Sequence, residues 1–268
     1  MNDGGMHWLE LEGAANARDV GGLPTEDGGA IAQRRLLRSD NLQGLTPRDV
    51  KVLVEDLGLT TVVDLRGTPE VTREGPGPLR SVESVRHHHF SVLPESGGTT
   101  DATADDISDA LYANRRRRTL ERFPDDIMTA LYLGYLEDRP ESIVGALRAI
   151  ASAPGAALVH CAAGKDRTGV VTAFALTVAG VRRDAVIEDY AASGERIRAI
   201  LDRLRASPTY APDLDKRPDD DDHRPKPKSM ELFLAEVDNR YGGVLRWLDE
   251  HGFDAADVAA LRDKLRNG

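Results

Sequence analysis

An α/β fold with a mostly parallel central sheet flanked by helices is predicted for these 268 residues. Three observations predict it. Strand-like and helix-like segments alternate along the chain, no internal repeat of fixed period interrupts them, and AALVH (156–160) is short and apolar enough for a central parallel strand. The length is near the upper limit for one hydrophobic core, so a single domain over 1–268 with loop or helical elaborations is expected.

In chain order, Thr46 and Pro47 open a helix-like stretch that Gly58 stops. TTVVDLR (60–66) is β-branched and apolar before a charged end, and HHFSVLP (88–94) is a second strand candidate ahead of AALVH. After Gly169, VVTAFALTVAG is apolar on nearly every face up to Gly180, the pattern of a helix buried against a sheet. Helical patterns continue over 184–206, 229–242 and 254–266. Two segments are unlike core: residues 96–118, polar and rich in Gly, Thr and Asp, and residues 207–228, with five prolines and mixed charge. Their composition is that of lids or disordered insertions, and they flank Cys161 in sequence.

The formal charge is -10, from 45 acidic against 35 basic residues, which speaks against a nucleic-acid partner. The run Arg115–Arg118 reads as one exposed helical end, with steering of anionic substrates as the alternative. One cysteine in the chain cannot form an internal disulfide, which fits a reducing compartment. The start, MNDGGMHWLELEG, lacks a basic region followed by an apolar run, and no stretch of about 18 apolar residues occurs. Cytoplasmic residence without an integral membrane segment is the expectation, export by an unrecognised route being the alternative.

The chemistry concentrates in VHCAAGKDRTG (159–169). A thiol just after a strand and just before a helix meets free backbone N–H groups and the positive end of the helix dipole. That setting lowers a cysteine pKa from about 8.5 toward 3.5 to 7.5. The same N–H groups suit a phosphate-sized anion, and an arginine six residues on can offer a planar fork to two oxygens. Cys161 is thus a candidate nucleophile, with Ala162, Ala163, Gly164, Lys165, Asp166 and Arg167 as the anion-binding turn. Gly164 lets backbone approach the anion, Thr168 can donate to the sulfur, and His160 can order the turn. The implied reaction is phosphoryl transfer from a monoester to Cys161, then hydrolysis, with no metal or cofactor required. A P-loop for nucleotides is excluded, because it needs Ser/Thr after Lys165 and Gly at 159, where Asp166 and Val159 stand.

HCAAGKDRTG resembles the phosphate-binding loop of the cysteine-dependent protein tyrosine phosphatase superfamily, whose signature is His-Cys, five residues, then Arg and Ser/Thr. Lys165 and Asp166 make it similar to the bacterial atypical group typified by mycobacterial tyrosine phosphatase B. NARDVGG (16–22), LRSDNL (37–42), VVDLRGTPE (62–70) and YGGVLRWLDEHG (241–252) match that group's landmarks, so the resemblance spans most of the chain. It implies a tyrosine-phosphatase-like fold and activity on phosphotyrosine proteins, with phosphoserine/threonine and phosphoinositides as further substrates. It also implies that Arg18 with Asp19 buttresses the site and that Arg66 pairs with Glu70. The alternatives are a phosphate-recognising protein that has lost catalysis, and an arsenate- or sulfur-handling enzyme on a related Cys loop, which usually needs further redox cysteines.

A leaving alcohol or phenol needs a proton, and three carboxylates compete to supply it. Asp166 lies in the turn, and the resemblance implicates an Asp there in catalysis; the alternative is a purely loop-stabilising role. Asp125, in FPDD, looks like an acid loop but also like a helix start. Asp64, at a strand end, is as readily an organiser of the loop. Asp166 is preferred. A metal site at His87, His88 and His89 is disfavoured because successive strand residues face opposite sides. Asp219–Asp222 lack the spacing and closing Glu of a calcium loop.

Overall fold

The computed structural model describes residues 6–93, 126–214 and 219–267. Its sheet has six strands in the order β1-β2-β3-β6-β4-β5, with β1 His7–Trp8, β2 Arg18–Asp19, β3 Leu36–Ser39, β4 Leu59–Asp64, β5 Arg86–His89 and β6 Ala156–His160. β3, β6, β4 and β5 run parallel, and β1 and β2 extend the β3 edge antiparallel. The expected mostly parallel sheet is present, and AALVH lies at its centre between β3 and β4. Every residue of β6 is buried, as a strand covered on both faces requires.

Helices cover both faces. α1 (Pro47–Lys51) starts at a capping box made by Thr46 and Asp49, and continues as a wider turn over Val52–Asp56 before Gly58 reverses the chain. α2 (Thr68–Glu74) follows β4, and a short 3₁₀ turn (Pro78–Ser81) precedes β5. The first core packs Leu37, Val62 and Leu158 of the sheet against Leu42, Leu53 and Leu79.

The opposite face carries α3 (Ile127–Asp138), α4 (Pro140–Ala151), α5 (Asp166–Val178), α6 (Arg183–Ala192), α9 (Pro227–Tyr241), α10 (Val244–Glu250) and α11 (Ala255–Arg266). Here Leu36, Val63 and Val159 meet Phe174 of α5, which stacks on Phe233 and meets Trp247 edge-on. α5 is enclosed on nearly every side, as its apolar sequence predicts. Truncating one such ring to Ala would cost about 3–5 kcal/mol.

Three segments depart from the sequence pattern. The second strand spans 86–89 rather than 88–94, and of its residues only His87 and His88 are even partly buried, so it is an edge strand placed by pairing with β4. The 184–206 stretch is two helices, α6 and α7 (Ile197–Arg205), because a 3₁₀ turn at Ser193–Arg196 turns the chain. The described part of 207–228 is not peripheral. Tyr210 and Leu214, the latter in the short α8 (Ala211–Leu214), pack with α7 against Ala162 and Ala163. Residues 96–118, including Arg115–Arg118, lie outside the described residues. No described helix is long and apolar enough to cross a membrane.

Candidate active site

β6 ends at His160, the chain turns through Cys161–Lys165, and α5 begins at Asp166. This puts the sulfur beside the N-terminus of a 13-residue helix, where the N–H groups of the first turn and the helix dipole favour negative charge. Cys161 is fully buried, and the Thr168 hydroxyl donates to its Sγ at 3.2 Å.

The turn is held by its carbonyls. Asn41 N–H donates to Ala162 O at 2.9 Å, Asn16 Nδ2 to Ala163 O at 2.9 Å and Arg38 Nη2 to Gly164 O at 2.7 Å. Three successive carbonyls tied into the scaffold leave their peptides' N–H groups facing the other way, toward the inside of the turn. Gly164 has φ +69°, and a Cβ there would stand 2.5 Å from the Ser39 carbonyl, so both conformation and space demand glycine.

Behind these donors lies a buried ion cluster. Arg18 Nε donates to Asp189 Oδ1 at 2.9 Å, Arg38 Nη1 donates to Asp189 Oδ2, and Arg18 also reaches Asn16 Oδ1 and the Ser193 hydroxyl. Burial and the neighbouring Arg38 lower Arg18 to about 10, which leaves it charged at neutral pH. Burial would raise Asp189, but the two guanidiniums overcome this and hold it below its ordinary value. Two cations on one carboxylate leave net positive charge behind the anion turn. Asp19 is not part of this cluster; it accepts from Gly21 N and Arg34 N and shapes the turn after β2.

Arg167 is fully buried, and its Nη1 and Nη2 donate to the two oxygens of Glu70 at 2.6 and 3.0 Å. The expected Arg66–Glu70 pair is therefore corrected. Arg66 instead donates back to Asp64, from Nη2 at 2.6 Å and from Nε at 2.9 Å. Arg66 precedes α2, so it does not share the helix face on which an i, i+4 pair would form.

Asp64 is fixed as an organiser. Burial would raise its carboxyl, but the His160 ring and Arg66 hold it well below the usual range, which disfavours it as a proton donor. His160 Nδ1 lies 3.2 Å from Cys161 O, and burial pushes the ring down to about 4. The ring is thus neutral near pH 7, with Nδ1 against that carbonyl and Nε2 3.7 Å from Asp64 Oδ2.

Asp166 is buried at the start of α5. Its Oδ1 accepts from the Tyr132 hydroxyl at 2.6 Å, and its Oδ2 lies 3.3 Å from Lys165 Nζ. Lys165 also donates to His223 O at 2.7 Å, tying the turn to the 220–223 segment. Asp125 lies outside the described residues, whereas its neighbour Asp126 caps α3 by accepting from Met128 N and Thr129 N.

The other polar groups have structural partners. His87 Nε2 contacts Leu79 O, His89 Nε2 contacts Arg66 O, and His88 stacks on Phe90. Asp219 caps the 3₁₀ turn at Asp220–His223, and Asp220 pairs with Arg205. A cavity of about 380 Å³, lined by Val62, Asp64, Arg66, His87 and His160, contains no residue of the 161–168 turn and is distinct from it.

Sequence reasoning gave no role to Asn16, Arg38, Asp189, Tyr132 or Tyr190. Asn16 and Arg38 stand in NARDVGG and LRSDNL, stretches that the resemblance marks, and that was their only signal. Together the site offers a sulfur, an arginine gripped by a carboxylate, a second carboxylate and a helix N-terminus around one turn.

A family model described as "Tyrosine phosphatase family" matches residues 9–267. The chain is 28% identical over 275 residues to the triple specificity protein phosphatase PtpB of Mycobacterium tuberculosis, covering 96% of this chain and 98% of that protein. It is 25% identical over 242 residues to a tyrosine-protein phosphatase of Nostoc commune, covering 88% and 76%.

Proposed function

The chain belongs to the tyrosine phosphatase family and is a protein tyrosine phosphatase, and from that premise we propose that it works through a phosphocysteine at Cys161, without a metal. The Cys161 thiolate attacks phosphorus, the ester P–O bond breaks, and Asp166 gives its proton to the leaving oxygen. Water then attacks phosphorus, Asp166 takes a proton from it, and the P–S bond breaks to regenerate the thiolate. Arg167 and the turn's N–H groups stabilise the charge on the equatorial oxygens. Thr168 donates to the departing sulfur in the second step.

One observation carries this reading: the Cys161 sulfur, bonded by Thr168, stands at the head of α5 inside a turn whose carbonyls are tied outward. Phosphotyrosine proteins are the proposed substrates, with phosphoserine/threonine and phosphoinositides as further ones. The name of the M. tuberculosis relative, triple specificity, and the cation of Lys165 beside the turn support that breadth. Action in the cytoplasm is part of the same reading.

Hydrolysis of para-nitrophenyl phosphate, inhibited by vanadate, tests the mechanism. Cys161→Ser is expected to abolish turnover while still binding vanadate. Unchanged turnover in that variant would overturn it, and a wild-type protein that binds phosphate but turns nothing over would favour a recognition role. A phosphopeptide and phosphoinositide panel on both proteins ranks the substrates.

A further inference from the structure

We propose that Tyr132 is a positioning residue for catalysis: its hydroxyl, donating to Oδ1, orients the Asp166 carboxyl and stabilises its ionised form. The proposal deepens the reading above and rests on Asp166 as acid and base.

One proton per phenol sets the direction of the bonds. A phenol has one proton, and Tyr132 spends it on Asp166 Oδ1 at 2.6 Å. Its oxygen is then an acceptor for Tyr190, whose hydroxyl is 2.7 Å away. The chain Tyr190, Tyr132, Asp166 is thus directed toward the carboxylate. Both phenols are held far above their ordinary range, by burial first and by Asp166 next, so they remain donors and do not ionise.

The pair is rigidly placed. Tyr132, on α3, meets Phe233 edge-on and Tyr135 at centroid distances of 5.6 and 6.0 Å. Tyr190, on α6, lies against Gly169 of α5, where a Cβ would come within 2.8 Å of its ring. Lys165 in the turn lies beside Asp166, and Arg38 on β3 and Asp126 at the start of α3 act on Tyr190.

During turnover Asp166 releases its proton to the leaving oxygen and later takes one from water. Tyr132 holds Oδ1 throughout and stabilises the ionised form that each first half-reaction creates. Removing its O–H therefore raises the proton affinity of Asp166 and loosens the carboxyl, which Lys165 Nζ still approaches at 3.3 Å on Oδ2.

Tyr132→Phe keeps the ring and removes the donor. Expected are a loss in kcat of about 10-fold on phenyl phosphate, a smaller loss on para-nitrophenyl phosphate, and KM within about twofold. The limb of the kcat profile that belongs to Asp166 should move up by about half a pH unit or more. In an Asp166→Asn background, Tyr132→Phe should have no further effect on kcat. Tyr190→Phe, which leaves the Tyr132 donor on Asp166, should show the same trends at smaller size, and it serves as the readout if Tyr132→Phe does not fold. Equal losses in both backgrounds, or an unmoved pH profile with no leaving-group dependence, would overturn the proposal. If Asp166→Asn itself slows good and poor leaving groups equally, the acid role of Asp166 fails first, a result distinct from failure of Tyr132 alone.

Discussion

Glu70 grips Arg167 through two parallel hydrogen bonds of 2.6 and 3.0 Å, and neither side chain is open to solvent. Glu70 also accepts from Gly67 N at 2.7 Å, so the start of α2 and the arginine of the turn are fixed by one carboxylate. Glu70→Gln, which keeps the volume, should lower kcat/KM about 10- to 100-fold, the scale of a hydrogen bond to a charged group. Glu70→Ala strands a buried guanidinium and should also cost about 3–5 kcal/mol of stability. Steady-state kinetics and urea denaturation of the two variants check both figures.

Asn16 and Arg38 act at a distance in sequence but directly on the turn. Asn16→Ala leaves Ala163 O without its side-chain donor and Arg18 without one of its acceptors, and should destabilise the fold by about 1–3 kcal/mol. Vanadate should bind more weakly to Asn16→Ala and to Arg38→Lys, because the N–H groups are no longer held inward. Titration calorimetry with vanadate measures this, and unchanged affinity in both would contradict the carbonyl anchoring.

Thr168 should matter after the ester bond has broken. Thr168→Val removes the 3.2 Å donor to sulfur while keeping the shape, so a phosphorylated enzyme should accumulate. Stopped-flow traces with para-nitrophenyl phosphate are expected to show a burst of about one equivalent, followed by a steady rate about 10-fold lower or more than wild type.

Acid should weaken the fold in two windows. His160 is lowered to about 4 when folded, so unfolding takes up a proton between that value and its unfolded value of about 6.5. Stability therefore falls as pH drops through this window, by about 3 kcal/mol from this ring. Asp64, held low when folded, contributes stability that is present above its unfolded value of about 3.9 and is lost at still lower pH. His160→Asn, whose amide can donate to Cys161 O, should flatten the upper window and, because the ring also helps hold Asp64 low, shrink the lower one. Denaturant titrations from pH 7.5 to about 2 measure the difference.

Local chemistry was readable and distant pairing was not. AALVH and the apolar run after Gly169 announced a strand and a buried helix, because burial on all sides leaves no polar face in the sequence. Cys161 and Thr168 could be paired from spacing alone, since they bracket one turn. The partner of Arg167 could not, because Glu70 lies 97 residues away and the nearer Arg66 offered a plausible i, i+4 match that the start of α2 at Thr68 forbids. Asp189 carried no signal of its own within the helical pattern of 184–206. Its buried role arises only in the folded chain, where it pairs with Arg18 of β2 and Arg38 of β3, both withdrawn from water. Tyr132 and Tyr190 carried no signal of their own, because the direction of a hydroxyl is set only by packing.

Cys161 has no second cysteine anywhere in these 268 residues. An oxidised sulfur here cannot be rescued by an internal disulfide. Protection of the sulfenic state would require a small thiol from solution or a backbone nitrogen of the turn itself. The same solitude makes the site countable: any thiol-directed reagent that enters labels one position, and the fraction labelled equals the fraction of sites that were open.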